Sequence, residues 1–191
     1  MKVKNHIDLG VFDLKFIFNP KYTHKTRLFR HNNFLSGDWN IYLFEPNPEQ
    51  KKVIENSKYS CKYITYIDKA AWIYDGILRL YNGCKSKSIS AVPPNKYMRK
   101  YVDYSKWIDV DCIDFSKWII ENFKKTDYIQ IRMNIEGSEY YILSKMILDG
   151  SIDYFDLMHI KFHRKEYGGV FDETQNKIRL ELKKRKIEYI R

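Results

Sequence analysis

The sequence predicts a single α/β domain, residues 1–191, built on a mostly parallel β-sheet with helices on both faces. Three observations predict it. A chain of 191 residues suits one domain. Apolar residues make up 44% of it and aromatic residues 16%, ample for a buried core in spite of the high charge. Short apolar segments rich in β-branched and aromatic residues alternate with stretches of helical spacing, the pattern of parallel strands joined by crossover helices.

The first strand is His6 to Gly10, an apolar-rich stretch that runs into Asp and Gly and delivers a loop, Val11 to Leu14. The second is Trp39 to Phe44, which ends at Glu45. Asn47 can cap the helix that follows, Pro48 suits its first position, and Gln50 can complete a capping box. Lys62 to Asp68 is the third strand, ending in Asp68-Lys69-Ala70-Ala71. Asp75-Gly76 lies between the apolar flanks of Trp72 to Asn82 and predicts a type I′ hairpin. Residues 83–101 carry Lys, Ser and Pro with little periodicity, the longest expected loop and a candidate lid.

Trp107 to Ile113 predicts a short strand. Asp114 can cap a helix whose apolar face is Phe115, Trp118, Ile119 and Phe123. Tyr128 to Ile135 is a buried strand interrupted by Arg132 and Asn134, and it ends in Glu136-Gly137-Ser138-Glu139. Ile142, Leu143, Met146 and Ile147 form a helical face that stops at Gly150. Phe155 to His163 is the next strand, and a final helix runs from Asp172 and Gln175 to near Lys186.

Composition removes several function classes. No run of about 18 uncharged apolar residues exists, so neither a membrane span nor a signal-peptide core is expected. Cys61, Cys84 and Cys112 are odd in number and widely spaced, which disfavours a disulfide framework and a structural zinc site, and favours a reducing compartment such as the cytoplasm. There is no GxxxxGK[ST] phosphate loop, no HExxH and no GxSxG, so nucleotide hydrolysis, zinc proteolysis and α/β-hydrolase chemistry lack support. The excess of 34 Lys+Arg over 24 Asp+Glu gives a formal net charge of +10. Much of it surrounds Ile178, Leu180 and Leu182, as the solvated face of the last helix or as a polyanion contact.

In an open α/β sheet, ligands bind beyond the carboxyl ends of the strands. That rule selects Asp8 to Asp13, Glu45 to Asn47, Asp68 to Ala71, Asn134 to Glu139, and His163. Glu45, at the end of the second strand, can accept both hydroxyl hydrogens of a ribose; it can equally be an exposed acid at a helix start. Asp8-Leu9-Gly10 allows close backbone approach to a ligand, but Leu14 stands where a further glycine is sought, which disfavours a dinucleotide.

Several segments together resemble a known family. Asp8-x-Gly10, Phe44-Glu45-Pro46-Asn47-Pro48, Lys69-Ala70-Ala71-Trp72 with Asp75-Gly76, Cys112-Ile113-Asp114-Phe115, Asn134-Ile135-Glu136-Gly137-Ser138-Glu139 and Ile160-x-Phe162-His163 look like the ordered motifs of S-adenosylmethionine-dependent methyltransferases of the FkbM type. The resemblance runs from Ile7 to His163. It implies a Rossmann-like, class I methyltransferase sheet with S-adenosylmethionine as cofactor. Asp8, Gly10, Asp13 and Asn134 would lie near its methionine part, Glu45-Pro46-Asn47 at the ribose, and Asp68-Lys69-Ala70 beside adenine.

The resemblance also implies O-methylation of a hydroxyl on a sugar, glycan or glycoside, a deoxyhexose such as rhamnose being one candidate. Small members of this kind occur in large DNA viruses, for which the compartment would be the host cytoplasm. The sequence departs from the family's usual Lys-x-Asp-x-Glu-Gly at Arg132-Met133-Asn134-Ile135-Glu136-Gly137. Asn134 cannot serve as a general base and ligates a divalent metal more weakly than a carboxylate, so no metal ligands are assigned and metal dependence stays open.

His163, directly after a strand, is the first candidate base, since a neutral imidazole titrates near working pH; Glu136, Asp111 and His24 follow. Trp72, Tyr97, Tyr101 and Tyr104 are candidate sugar contacts. Two rival readings remain at this stage: a nucleic-acid-binding protein or nucleic-acid methyltransferase, from the positive charge and interleaved aromatics, and a degenerate domain that keeps the fold without activity. Pairing into a homodimer is left open.

Overall fold

The computed structural model describes residues 3–11, 39–55, 64–83, 89–93, 96–97, 102–163 and 167–190. Six strands form one parallel sheet: β1 (Lys4–Leu9), β2 (Trp39–Phe44), β3 (Ile64–Ile67), β8 (Tyr128–Met133), β9 (Leu157–Ile160) and β10 (Glu188–Ile190), in the order β10-β9-β8-β1-β2-β3. The chain builds outward from β1 through β2 to β3, then returns to the other side of β1 with β8. The strand order therefore reverses at β1/β8, the place in open α/β sheets where the crevice beyond the strands' carboxyl ends takes ligands.

Register and side-chain alternation fix the two faces. Ile7 is level with Tyr42 and Ile131, and Leu9 with Phe44 and Met133; both rows face the main core. That core is closed by α2 (Phe115–Asn122), α3 (Ser138–Asp149) and α4 (Asp172–Lys184), through Phe115, Ile119, Ile142, Leu143, Met146, Ile178 and Leu182. On the opposite face Ile41 and Leu43 pack against Ile54 of α1 (Pro48–Glu55). Helices thus cover both faces, as the alternating pattern predicts.

Local signals end the helices where the sequence places them. Asn47 Oδ1 accepts from Glu49 N at 3.0 Å to start α1, and Asp114 Oδ1 accepts from Lys117 N at 3.2 Å to start α2. Gly150, in the left-handed conformation at φ 79°, closes α3.

The structure differs from the sequence reading in the middle of the chain. A second, four-stranded sheet holds β4 (Ala70–Trp72), β5 (Gly76–Gly83), β6 (Ile89–Ser90) and β7 (Val102–Asp114) in the order β4-β7-β5-β6. Trp72 and Gly76 do not form a hairpin: β4 pairs parallel with β7 on one side and β5 antiparallel with β7 on the other. Asp75 lacks the positive φ that a type I′ turn requires at its position. Its Oδ1 instead accepts from Asp114 N at 3.0 Å, so the connection crosses the end of β7. β7 is long rather than short, because its amino-terminal half is largely exposed and hides the period-two signal. β10 is an addition that three residues are too few to announce.

Candidate active site

Three strand ends meet at the crevice. Gly10 N donates to Phe44 O at 3.0 Å and Asn134 N donates to Leu9 O at 3.1 Å, so the ends of β2, β1 and β8 are tied by backbone bonds. Gly10 sits at φ 80°, and a Cβ there would collide with the Asn134 carbonyl. Only glycine allows this close approach. At the end of β2, Glu45 N donates to Ile67 O at 3.2 Å, Tyr66 Oη donates to Glu45 O at 2.8 Å, and Glu45 Oε1 accepts from Asn47 N at 3.1 Å. Glu45 and Asn47 are both buried. The Glu45-Pro46-Asn47 segment is therefore a tied-down corner and not an exposed acid at a helix start.

Below Gly10 lies a buried polar group on the α1 side of the sheet. Asp8 is fully buried and its Oδ1 accepts from Arg132 Nη1 at 2.8 Å. Burial alone would raise the Asp8 pKa, yet the Arg132 guanidinium, helped by His6, holds it below the ordinary carboxylate value. Burial pushes His6 below its own ordinary value against the pull of Asp8, which favours the neutral ring. Asp8 Oδ2 faces His6 Nε2 at 3.9 Å, too far for a hydrogen bond. It is a buried oxygen with no hydrogen-bond partner among the described residues, and so is Asn134 Oδ1. Asp8 precedes Gly10 by two residues on β1, and Asn134 lies against it with its carbonyl.

The end of β8 is built differently. Glu136 occupies the left-handed region at φ 51°, an uncommon conformation for a non-glycine residue. Its carbonyl accepts from Ser90 Oγ at 2.9 Å and from Tyr167 Oη at 2.5 Å. Gly137 follows at φ 98°, where a Cβ would strike the Tyr167 hydroxyl. Glu139, fully buried in the first turn of α3, accepts from Gly137 N at 2.8 Å through Oε2. Through Oε1 it accepts from His163 N at 2.9 Å and meets His163 Nδ1 at 3.0 Å.

His163 Nε2 lies 3.4 Å from Glu136 Oε2, which places the ring between two carboxylates. Burial alone would lower the His163 pKa, but Glu136 and Glu139 overcome it and push it up to about 9. At neutral pH the ring is an imidazolium, not the neutral imidazole that a base requires. Of the three side chains, Glu136 alone reaches solvent, at 27% exposure against 1% for His163 and 0% for Glu139.

Glu136 and His163 are thus brought together, and Gly10, Glu45, Asn47 and Asn134 lie just beyond the carboxyl ends of β1, β2 and β8. Asp111 stands apart, exposed on β7 opposite Ile77. Asp68 is exposed and paired with Lys51 Nζ at 2.8 Å; Lys69 follows it, and Ala70 is buried in the core of the second sheet. Trp72 is buried there too, so it is packing and not a surface contact for a sugar. Tyr97 is 39% exposed and Tyr104 partly buried. Asp13, Leu14, His24 and Tyr101 lie outside the described residues. Among the described residues no group of three or more His, Cys, Asp or Glu gathers to hold a metal ion, and no helix is long and apolar enough to cross a membrane.

Sequence reasoning did not assign Ser90, Tyr167, Glu139 or Arg132 a role. The signal that could have found Tyr167 is the pair Gly168-Gly169 behind it, both in the left-handed region.

A family model described as the methyltransferase FkbM domain matches residues 17–189. The chain belongs to the FkbM methyltransferase family. No curated protein and no solved structure matches it. The six-stranded parallel sheet with helices on both faces is consistent with the Rossmann-like fold of an FkbM methyltransferase. Asp8 and Gly10 precede the matched stretch, so their part in the FkbM domain rests on the crevice geometry; Glu45, Asn134, Glu136 and His163 fall inside it.

Proposed function

We propose that the protein is an S-adenosylmethionine-dependent O-methyltransferase acting on a hydroxyl of a sugar, glycan or glycoside, with a deoxyhexose such as rhamnose as the first acceptor to test. The observation that carries the cofactor half is the pair of orphaned acceptors, Asp8 Oδ2 and Asn134 Oδ1, beside the glycine that only close backbone approach explains. Unpaired buried oxygens suit a donor-only group, and the ammonium of a methionine moiety is one. Glu45-Pro46-Asn47 would hold the ribose, and Asp68-Lys69-Ala70 the adenine edge. When bound, S-adenosylmethionine supplies an electrophilic methyl group on a sulfonium.

The chain's own residues then align the acceptor oxygen, exclude water and take its proton. Among Glu136, Glu139 and His163, Glu136 is the side chain that reaches solvent, and it would receive the acceptor hydroxyl's proton when the methyl group is transferred. His163 steadies that carboxylate as an imidazolium, itself neutralised by Glu139. This reading moves the base from His163 to Glu136.

A second reading has one observation in its favour. An open groove of about 630 Å³ between α4 and β10 is lined by Arg179, Lys183 and Lys186, which suits a polyanion such as nucleic acid. Transfer of labelled methyl from S-adenosylmethionine to methyl rhamnoside, and not to single-stranded RNA or DNA, is the expected result. Transfer to the oligonucleotides alone, or to neither, would overturn the sugar reading.

A further inference from the structure

Two elements far from β8 in sequence converge on a single carbonyl. Ser90 lies on β6 of the second sheet, and Tyr167 precedes α4. Their hydroxyls are 3.3 Å apart, and both donate to Glu136 O. Tyr167 is fully buried, its ring packed on Phe171 at 5.1 Å and Tyr140 at 6.5 Å, so the hydroxyl cannot swing away. Burial also holds the Tyr167 pKa far above its ordinary value, so it stays a donor. Ser90 Oγ in turn accepts from Val92 N at 3.2 Å, and the Tyr97 ring occupies the space that a side chain at Gly168 would need. The part of the expected lid that is described, around β6, is therefore fastened to the turn that carries Glu136.

We propose that Tyr167, seconded by Ser90, is the positioning residue that keeps Glu136 in its left-handed backbone conformation and so directs its carboxylate to His163 and the crevice. The reason is conformational. A glutamate at φ 51° is in a strained backbone region and persists only where its surroundings over-determine it. Two donors on its carbonyl, with a Tyr167-filled gap where a Cβ on Gly137 would go, supply that constraint. The role as a catalytic aid rests on the methyl-transfer reading above; the geometric claim does not.

The test compares Tyr167→Phe, which keeps the packed ring and removes the hydroxyl, with Tyr140→Phe. The latter deletes a buried hydroxyl in the same cluster that meets Gln175 at 3.3 Å. Two readouts are taken on the full chain: the His163 titration midpoint by NMR, and methyl transfer to methyl rhamnoside. Carboxylates facing His163 come from Glu136 and from Glu139 on α3, and only the Glu136 contact should loosen. Tyr167→Phe should lower the midpoint by about one unit and kcat by about 10- to 100-fold, with KM nearly unchanged, while Tyr140→Phe changes neither. Ser90→Ala should move both the same way by less, and it decides the matter if Tyr167→Phe does not fold. An unmoved midpoint in Tyr167→Phe, or equal losses in Tyr140→Phe, overturns the proposal. A midpoint that falls only in Tyr167→Phe, in a protein that methylates no rhamnoside, sustains the positioning of Glu136 and sinks the sugar reading alone.

Discussion

The two shores of the crevice are made of different material. At the ends of β1 and β2 the chain offers main-chain contacts and a glycine, joined by two acceptor oxygens, of Asp8 and of Asn134 just past β8, that have no hydrogen-bond partner among the described residues. In the turn after β8 it offers charged side chains held mainly by one another: Glu139 bridges Gly137 and His163, and His163 Nε2 faces Glu136 at 3.4 Å without a hydrogen bond. On the proposed reading the first shore awaits a ligand, whereas most contacts of the second are already made. Loss on the first should therefore appear in binding, and loss on the second in stability and rate.

Glu139→Ala breaks this division at its strongest point. It leaves His163 buried beside one carboxylate and Gly137 N without its acceptor, and should cost about 3–5 kcal/mol of stability in urea unfolding. A cost under about 1 kcal/mol would show the pairing to be incidental.

The pH dependence of stability comes next. His163 has a folded pKa of about 9 against an ordinary 6.5. A raised pKa means that its stabilisation is complete below the unfolded value and is lost as pH rises through the folded one. Unfolding at about pH 6 and at about pH 9.5 should therefore differ by roughly 3 kcal/mol in favour of the lower pH. His163→Gln should remove most of that slope.

The smallest effect sharpens the other shore. Asn134→Asp restores an acid beside Gly10 and should tighten S-adenosylmethionine binding a few-fold, by about 0.5–1 kcal/mol, with a steeper salt dependence. Weaker binding in Asn134→Asp would place the ammonium elsewhere.

These two shores also differ in how far the sequence reveals them. β2 is readable to the residue because Trp39–Phe44 is bounded by Glu45-Pro46, and Gly10 declares itself by following an apolar strand. The caps at Asn47, Asp114 and Gly150 act within a few residues of the groups they satisfy. The second shore depends on contacts between distant positions: Tyr167 reaches Glu136 across 31 residues, and Ser90 across 46. Neither residue type signals such a partner. The protonation of His163 was hidden for the same reason, since it follows from a carboxylate on α3 and another on the β8 turn. The second sheet escaped because Trp72 and Gly76 look like hairpin partners locally, while β7 separates them in space.

The most direct test of the account is calorimetric titration of S-adenosylmethionine into the purified protein and into Glu45→Ala. Binding in the micromolar range that the variant loses by about 10-fold or more is the predicted result. No heat with the unaltered protein, or equal affinity in the two, would contradict it.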